Sequence, residues 1–212
     1  MSAPRSSRFY LLTPRLDIVD LDAFAPIFSE ALASGAVASV LARVAPGAEG
    51  NSKRIVSRLL EIAAPAGAAL LVEDDARLAA RAGADGVHVS GAGATLIEAL
   101  ASLKPERIVG AGLLRTRDDA MTAGEAGVDY VMFGEPRPDG FVPPALETLE
   151  RVAWWAEIFE PPCVGYAARL EDVAALLSAG VDFVAMGDAI WKAASPRDAL
   201  AAAIALPPLG QR

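Results

Sequence analysis

The chain has 212 residues with 19 basic and 27 acidic side chains, a formal charge of −8 and 53% hydrophobic content, which excludes a disordered composition and suits one compact domain over residues 1–212. Its three lysines, Lys53, Lys104 and Lys192, form no clustered basic footprint for a phosphodiester backbone, so nucleic acid is not an expected partner. Cys163 and His88 are each the sole residue of their type, so neither an intramolecular disulfide nor a Cys/His zinc cage can form within one chain, and the cytoplasm is the expected compartment.

Met1 to Tyr10 carry Arg5 and Arg8 with no apolar run of signal length after them, so no export signal is expected. In chain order, short apolar runs predict strands at 9–13, 38–44, 69–73, 86–90, 108–112, 130–134, 163–166 and 183–187. Amphipathic stretches between them predict helices at 20–34, 52–64, 95–102, 116–126, 145–158, 170–179 and 196–205, with a further helix starting at Ala76. The longest apolar runs, at 63–72 and 199–207, are broken by Pro or Gly or fall far below the roughly 20 residues of a bilayer span. No membrane partner is expected.

Three segments repeat one wording: Ala82-Gly83-Ala84-Asp85-Gly86-Val87, Ala126-Gly127-Val128-Asp129-Tyr130-Val131 and Ala179-Gly180-Val181-Asp182-Phe183-Val184. Each reads as a helix closed by a left-handed glycine, an Asp ending the connection, and a strand apolar on both faces, as in a buried parallel sheet. The copies start 44 and 53 residues apart, about two βα units each. A weaker copy is Ser34-Gly35-Ala36-Val37. Eight strands alternating with helices over 212 residues predict an α/β fold, a single (β/α)₈ TIM barrel with short loops. A doubly wound sheet would carry a Gly-rich fingerprint after its first strand, and none is present. Gly91-Ala92-Gly93 and Gly110-Ala111-Gly112 lack the third glycine of a dinucleotide loop and read as turn and strand glycines.

In such a barrel the site lies at the C-terminal ends of the strands. The residues there are Thr13, Arg15, Arg43, Glu73, Asp74, Asp75, His88, Ser90, Arg115, Glu135, Arg137, Asp139, Tyr166, Arg169 and Asp188. Adjacent Glu73, Asp74 and Asp75 can offer oxygen ligands to Mg²⁺, which keeps waters and shares a phosphate substrate. The competing reading makes Asp75 the N-cap of a helix at Ala76. A lone His88 within a strand is either a satisfied core residue or a catalytic group. With no other histidine and no Gly-x-Ser-x-Gly elbow, a Ser-His-Asp triad lacks support. The loops after strands seven and eight, Gly165-Tyr166-Ala167-Ala168-Arg169 and Gly187-Asp188-Ala189-Ile190-Trp191-Lys192, are where barrels often hold phosphate. There Asp188 would repel an anion unless Arg169 or Lys192 compensates.

The order of these features resembles the thiamine-phosphate synthase and TenI-type thiazole tautomerase superfamily. The resemblance runs from Phe9-Tyr10-Leu11-Leu12-Thr13 to the last helix and is strongest at Val72-Glu73-Asp74-Asp75, Leu78-Ala79, Ala84-Asp85-Gly86-Val87-His88-Val89 and the two later repeats. It implies a barrel that joins a pyrimidine pyrophosphate to a thiazole phosphate with Mg²⁺, releasing pyrophosphate. The resemblance also assigns positions. The family's Gln-x-Arg-x-Lys falls on Val40, Ala42 and Val44, with Arg43 shifted by one onto the opposite face. Its Asn-Asp becomes Glu73-Asp74, its second metal Asp falls on Gly93, and its Ser after strand five on Gly112. Its Thr- and Lys-containing loop becomes Glu135-Pro136-Arg137-Pro138-Asp139-Gly140, its Gly-Gly turn Ala167-Ala168, and its Ser after strand eight Asp188.

Three functional expectations follow. In the first, Asp74 holds Mg²⁺, Glu73, Tyr166, Arg169 and Asp188 line the ligand, and His88, Arg43, Arg115 and Arg137 act on a small phosphorylated substrate by ionising displacement. In the second, the replaced site makes the barrel non-catalytic, or one that binds a less anionic small molecule. The third is TenI-like proton transfer by His88 or a carboxylate. Adjacent Trp154 and Trp155 differ by about 100° on a helix, so one is expected to be partly exposed, either at a homodimer surface or under a neighbouring helix.

Overall fold

The computed structural model describes residues 8–209. Among the described residues, eight parallel strands close into a barrel in chain order: β1 (Arg8–Leu16), β2 (Val37–Val44), β3 (Ala69–Glu73), β4 (Gly86–Ser90), β5 (Ile108–Gly112), β6 (Tyr130–Phe133), β7 (Cys163–Tyr166) and β8 (Phe183–Met186). Around them run α1 (Ile18–Leu32), α2 (Ser52–Ala63), α3 (Ala76–Ala82), α4 (Ala94–Leu103), α5 (Arg117–Glu125), α6 (Ala145–Ile158), α7 (Asp172–Ser178), α8 (Asp188–Trp191) and α9 (Pro196–Ile204). The expected (β/α)₈ barrel is the observed fold. No helix among the described residues is long and apolar enough to cross a membrane.

The repeated segments each perform one structural task. Asp85 donates its N–H to the Leu70 carbonyl and takes the Leu70 N–H on its carboxylate at 2.7 Å. Asp129 does the same to Val109, at 2.8 Å, and Asp182 to Cys163, at 2.9 Å. The repeat therefore seals the N-terminal edge of β3 against β4, β5 against β6 and β7 against β8, satisfying backbone groups that would otherwise be left without partners at the bottom of the barrel. The glycines Gly83, Gly127 and Gly180 take φ of 75°, 90° and 91°, the left-handed closure expected after each helix.

One strand end and the helix start that follows it differ from expectation. β1 continues three residues past Thr13, to Leu16, because its pairing with β2 slips between Leu12 and Arg15. Leu12 stands opposite Leu41 and Arg15 opposite Arg43. Pro14, which has no N–H for the ladder, lies in this bulge, and the extra residue re-phases the strand. The α1 helix begins at Ile18, two residues early, because Asp17 and Asp20 form a reciprocal cap.

The alternation along β2 also corrects a register. Val40 and Ala42 are buried, with Val44 packed beside them, in the layer between barrel and helices. Leu41 belongs to the interior cluster with Tyr10, Leu12, Leu71, Tyr130, Met132, Val164, Tyr166 and Ala185. With a period of two, Arg43 shares the interior face of Leu41. The inward positions of β2 are then Leu41 and Arg43, not Val40, Ala42 and Val44, while Ala45, past the strand end, packs against the outer layer. A Gln-x-Arg-x-Lys pattern starting at Leu41 would set its arginine at Arg43.

Trp155 is fully buried, donates its indole N–H to the Pro161 carbonyl at 2.7 Å and stacks on Phe159. Trp154 is half-buried, with the Arg117 guanidinium 4.8 Å above its ring.

Candidate functional site

The three consecutive carboxylates at the end of β3 point to three different partners. Glu73 forms a fork with Arg15, at 2.6 and 3.2 Å. Asp74 takes a left-handed φ of 54°, which Asp tolerates better than most residues, and so turns its carboxylate onto Ser90. It accepts from the Ser90 N–H at 2.6 Å and the Ser90 hydroxyl at 2.7 Å. Asp75 accepts from the Leu78 N–H at 2.7 Å and caps α3, as its alternative reading required. Among the described residues no three His, Cys, Asp or Glu side chains gather as a metal cage. Asp74 is exposed, and each of its oxygens has a lone pair beyond its bond to Ser90. It fits the role of single protein carboxylate on a Mg²⁺ otherwise held by water and phosphate.

Arg43 is held at the mouth by Thr13. The Arg43 Nε donates to the Thr13 carbonyl at 2.6 Å, and the Thr13 hydroxyl accepts the Arg43 N–H at 3.0 Å. Burial lowers the Arg43 pKa, opposed chiefly by the charge of Glu73, with Arg15, Tyr166 and Asp188 also within electrostatic reach. Arginine stays protonated across the physiological range regardless. The bulge at Pro14 thus brings two guanidinium groups around the Glu73 carboxylate on the β1–β3 side. The sequence places Arg15 among the mouth residues but does not reveal its pairing with Glu73; the proline inside the first strand was the available signal.

Tyr166 is buried, and its hydroxyl pKa is raised by burial first and then by the charge of Asp188, with Arg43 opposing the rise. The two cations expected to offset Asp188 behave differently. Lys192 pairs with it at 2.8 Å. Arg169 instead pairs with Asp172 in the first turn of α7, at 3.1 Å. Ala167 and Ala168 follow Tyr166 on the same loop.

His88 lies in the interior, 3% exposed. Its Nδ1 is 2.8 Å from the Tyr130 hydroxyl, which is 2.8 Å from the Tyr10 hydroxyl. Its Nε2 is 3.9 Å from Oε1 of Glu135, also buried. The Glu135 carboxylate accepts the Leu113 N–H and so holds Leu113 at its φ of 50°. Composition alone did not reveal this role; the sequence signal was a carboxylate directly after a strand end, next to Gly134.

Arg115 and Arg137 line a cleft of about 70 Å³ between the β5 and β6 loops, with Glu135, Glu147, Thr148 and Arg151. Arg115 is exposed. Arg137 lies 4.5 Å over the Phe141 ring. Arg151 donates to the carbonyls of Leu114 and Arg115 and braces the β5 loop. The structure thus brings Arg43, Glu73, Tyr166 and Asp188 to one side of the mouth and Arg115, Arg137 and Glu135 to the other. Asp74 sits at the rim, and Arg169 joins neither group.

A family model described as thiamine monophosphate synthase matches residues 9–190. The thiamine-phosphate synthase of Rhodospirillum centenum is 37% identical over 186 residues, covering 87% of this chain and 89% of its own. That of Hyphomonas neptunium is 36% identical over 198 residues, covering 89% and 87%. Among solved structures, thiamine phosphate pyrophosphorylase from Pyrococcus furiosus superposes with a TM-score of 0.77 at 24% identity, over 94% of this chain and 95% of that one. A 3-hexulose-6-phosphate synthase superposes at 0.70 and 20% identity, over 93% and 98%. Both superpositions bear on the fold.

Proposed function

Because the chain belongs to the thiamine monophosphate synthase family, we propose that its barrel mouth binds a pyrimidine pyrophosphate and a thiazole phosphate, and that it joins them more slowly than its relatives do. The observation that carries this reading is Arg43, which keeps the interior arginine position of β2 and is fastened by Thr13. A guanidinium aimed by its Nε bond, on a backbone fixed by the Thr13 hydroxyl, is already oriented for a diphosphate and loses little freedom on binding it. Arg15 adds a second cation on the same rim, and Arg115 and Arg137 face it from the β5 and β6 loops.

These arginines stabilise the negative charge that gathers on the leaving pyrophosphate during an ionising displacement. Asp74 would hold a Mg²⁺ at the rim, whose charge would help neutralise the same oxygens. Slow turnover follows from what the positions lack. Leu41 and Ala45 stand where the pattern calls for Gln and Lys, and Gly93 caps α4 with no side chain to offer.

A second reading is favoured by one observation. The Glu135 carboxylate lies beside the space over Gly112, where the family resemblance puts a serine, and Asp188 falls at the position of another. Two added negative charges suit a less anionic ligand.

The test is formation of thiamine phosphate from the two substrates with Mg²⁺, in the unmodified chain, Arg43→Ala and Asp74→Ala. Slow turnover that falls at least tenfold in both variants supports the first reading. No turnover, together with unphosphorylated thiazole alcohol binding as tightly as its phosphate, overturns it in favour of the second.

A further inference from the structure

We infer that Tyr130, its hydroxyl accepting from Tyr10, is a positioning residue that holds His88 in the tautomer protonated on Nε2, so that the site meets an N–H donor above Gly112. The three side chains come from β1, β6 and β4 and meet inside the barrel, 2%, 7% and 3% exposed for Tyr10, Tyr130 and His88. Both links, Tyr10 Oη to Tyr130 Oη and Tyr130 Oη to His88 Nδ1, are 2.8 Å. The His88 and Tyr130 rings lie nearly parallel, 19° apart. Gly110 makes the approach feasible, since a Cβ there would fall 2.0 Å from the Tyr130 ring.

Proton counting chooses the direction of the chain of bonds. Among the described residues, Tyr130 is the hydrogen-bond partner of the Tyr10 hydroxyl. With the imidazole proton on Nδ1, His88 would donate to Tyr130 and Tyr130 to Tyr10. The Tyr10 hydrogen would then be buried without an acceptor, which is costly. With Nδ1 bare, Tyr10 donates to Tyr130 and Tyr130 to Nδ1, and both hydroxyl hydrogens are satisfied. Burial raises both tyrosine pKa values and keeps the hydroxyls as donors. The remaining proton sits on Nε2, facing Glu135 Oε1. The atom that His88 recognises on a ligand is therefore an acceptor, a ring nitrogen or an oxygen, and His88 does not serve as a base at Nε2.

His88 is the only histidine, so nitrogen-15 spectra of the intact protein contain one imidazole. The expected spectrum at neutral pH shows a one-bond proton coupling on Nε2 and a bare, pyridine-type Nδ1. Tyr10→Phe is expected to keep that pattern, because Nδ1 is then the acceptor left for the Tyr130 proton. Tyr130→Phe removes the donor and is expected to give a mixture of tautomers. A purely structural tyrosine pair would leave the pattern unchanged in both variants. A proton on Nδ1 in the unmodified protein, alone or with one on Nε2, overturns the inference, as does an unchanged spectrum in folded Tyr130→Phe. If Tyr130→Phe fails to fold, the unmodified spectrum decides, since a proton on Nε2 with a bare Nδ1 supports the inference and a proton on Nδ1 overturns it.

Discussion

A Cβ on Gly112 would lie 2.1 Å from Oε1 of Glu135 and 2.4 Å from Nε2 of His88. Glycine at 112 and glutamate at 135 are therefore one structural choice, since the carboxylate and the imidazole occupy room that any side chain on β5 would take. Gly112→Ser is expected to destabilise the protein by about 1–3 kcal/mol through overpacking and a displaced carboxylate. Adding Glu135→Ala should recover at least half of that loss in a double-mutant cycle measured by urea denaturation. Additive losses would mean that the two sites do not share the space.

Arg43 supplies a directed guanidinium rather than a point charge. Arg43→Lys keeps the charge but loses the Nε donation to Thr13 and the planar fork. Its affinity for inorganic pyrophosphate, measured by calorimetry, is expected to fall about tenfold, or ~1.4 kcal/mol. Equal affinity in the two proteins would show that only net charge matters.

The sealing aspartates are expected to matter for stability without touching the site. Asp85→Ala and Asp129→Ala each leave a strand N–H without its carboxylate, at Leu70 and Val109, and should cost about 1–3 kcal/mol. Glu61→Ala removes an exposed pair with Arg58 and should cost under about 0.5 kcal/mol. Urea midpoints compare the three directly, and equal effects would refute the sealing role.

Stability should also fall in alkali. Burial pushes the Cys163 thiol up to about 11, and burial raises the Tyr10 and Tyr130 hydroxyls as well. Each group is neutral when protonated, so its stabilising contribution is fully present below the unfolded-state pKa. It is lost as pH rises from there through the folded value, where the unfolded chain binds fewer protons. For Cys163 that window runs from about 9 to about 11. Cys163→Ala should flatten the decline in melting temperature across it, and an unchanged slope would assign the decline to the tyrosines.

The sequence by itself determined the barrel, because its evidence is local and repeated. Apolar runs alternate with amphipathic helices, and the Ala-Gly-x-Asp joint recurs where a helix must close and a buried strand must begin. The choice between cap and metal ligand at Asp75 was also legible as a pair of alternatives. What only the tertiary structure decided is which way side chains face and whom they meet. The face of Arg43 depends on the barrel's inside and outside, and a one-residue error in counting reverses it, since side chains alternate with period two. Arg15 reaches Glu73 because a bulge at Pro14 re-phases β1, a slip set by pairing with β2. The fork between Arg15 and Glu73, the seating of Glu135 over Gly112 and the chain from Tyr10 through Tyr130 to His88 join residues from different strands. Contacts of that kind leave no periodic trace along the chain, since their partners come together only when the sheet closes.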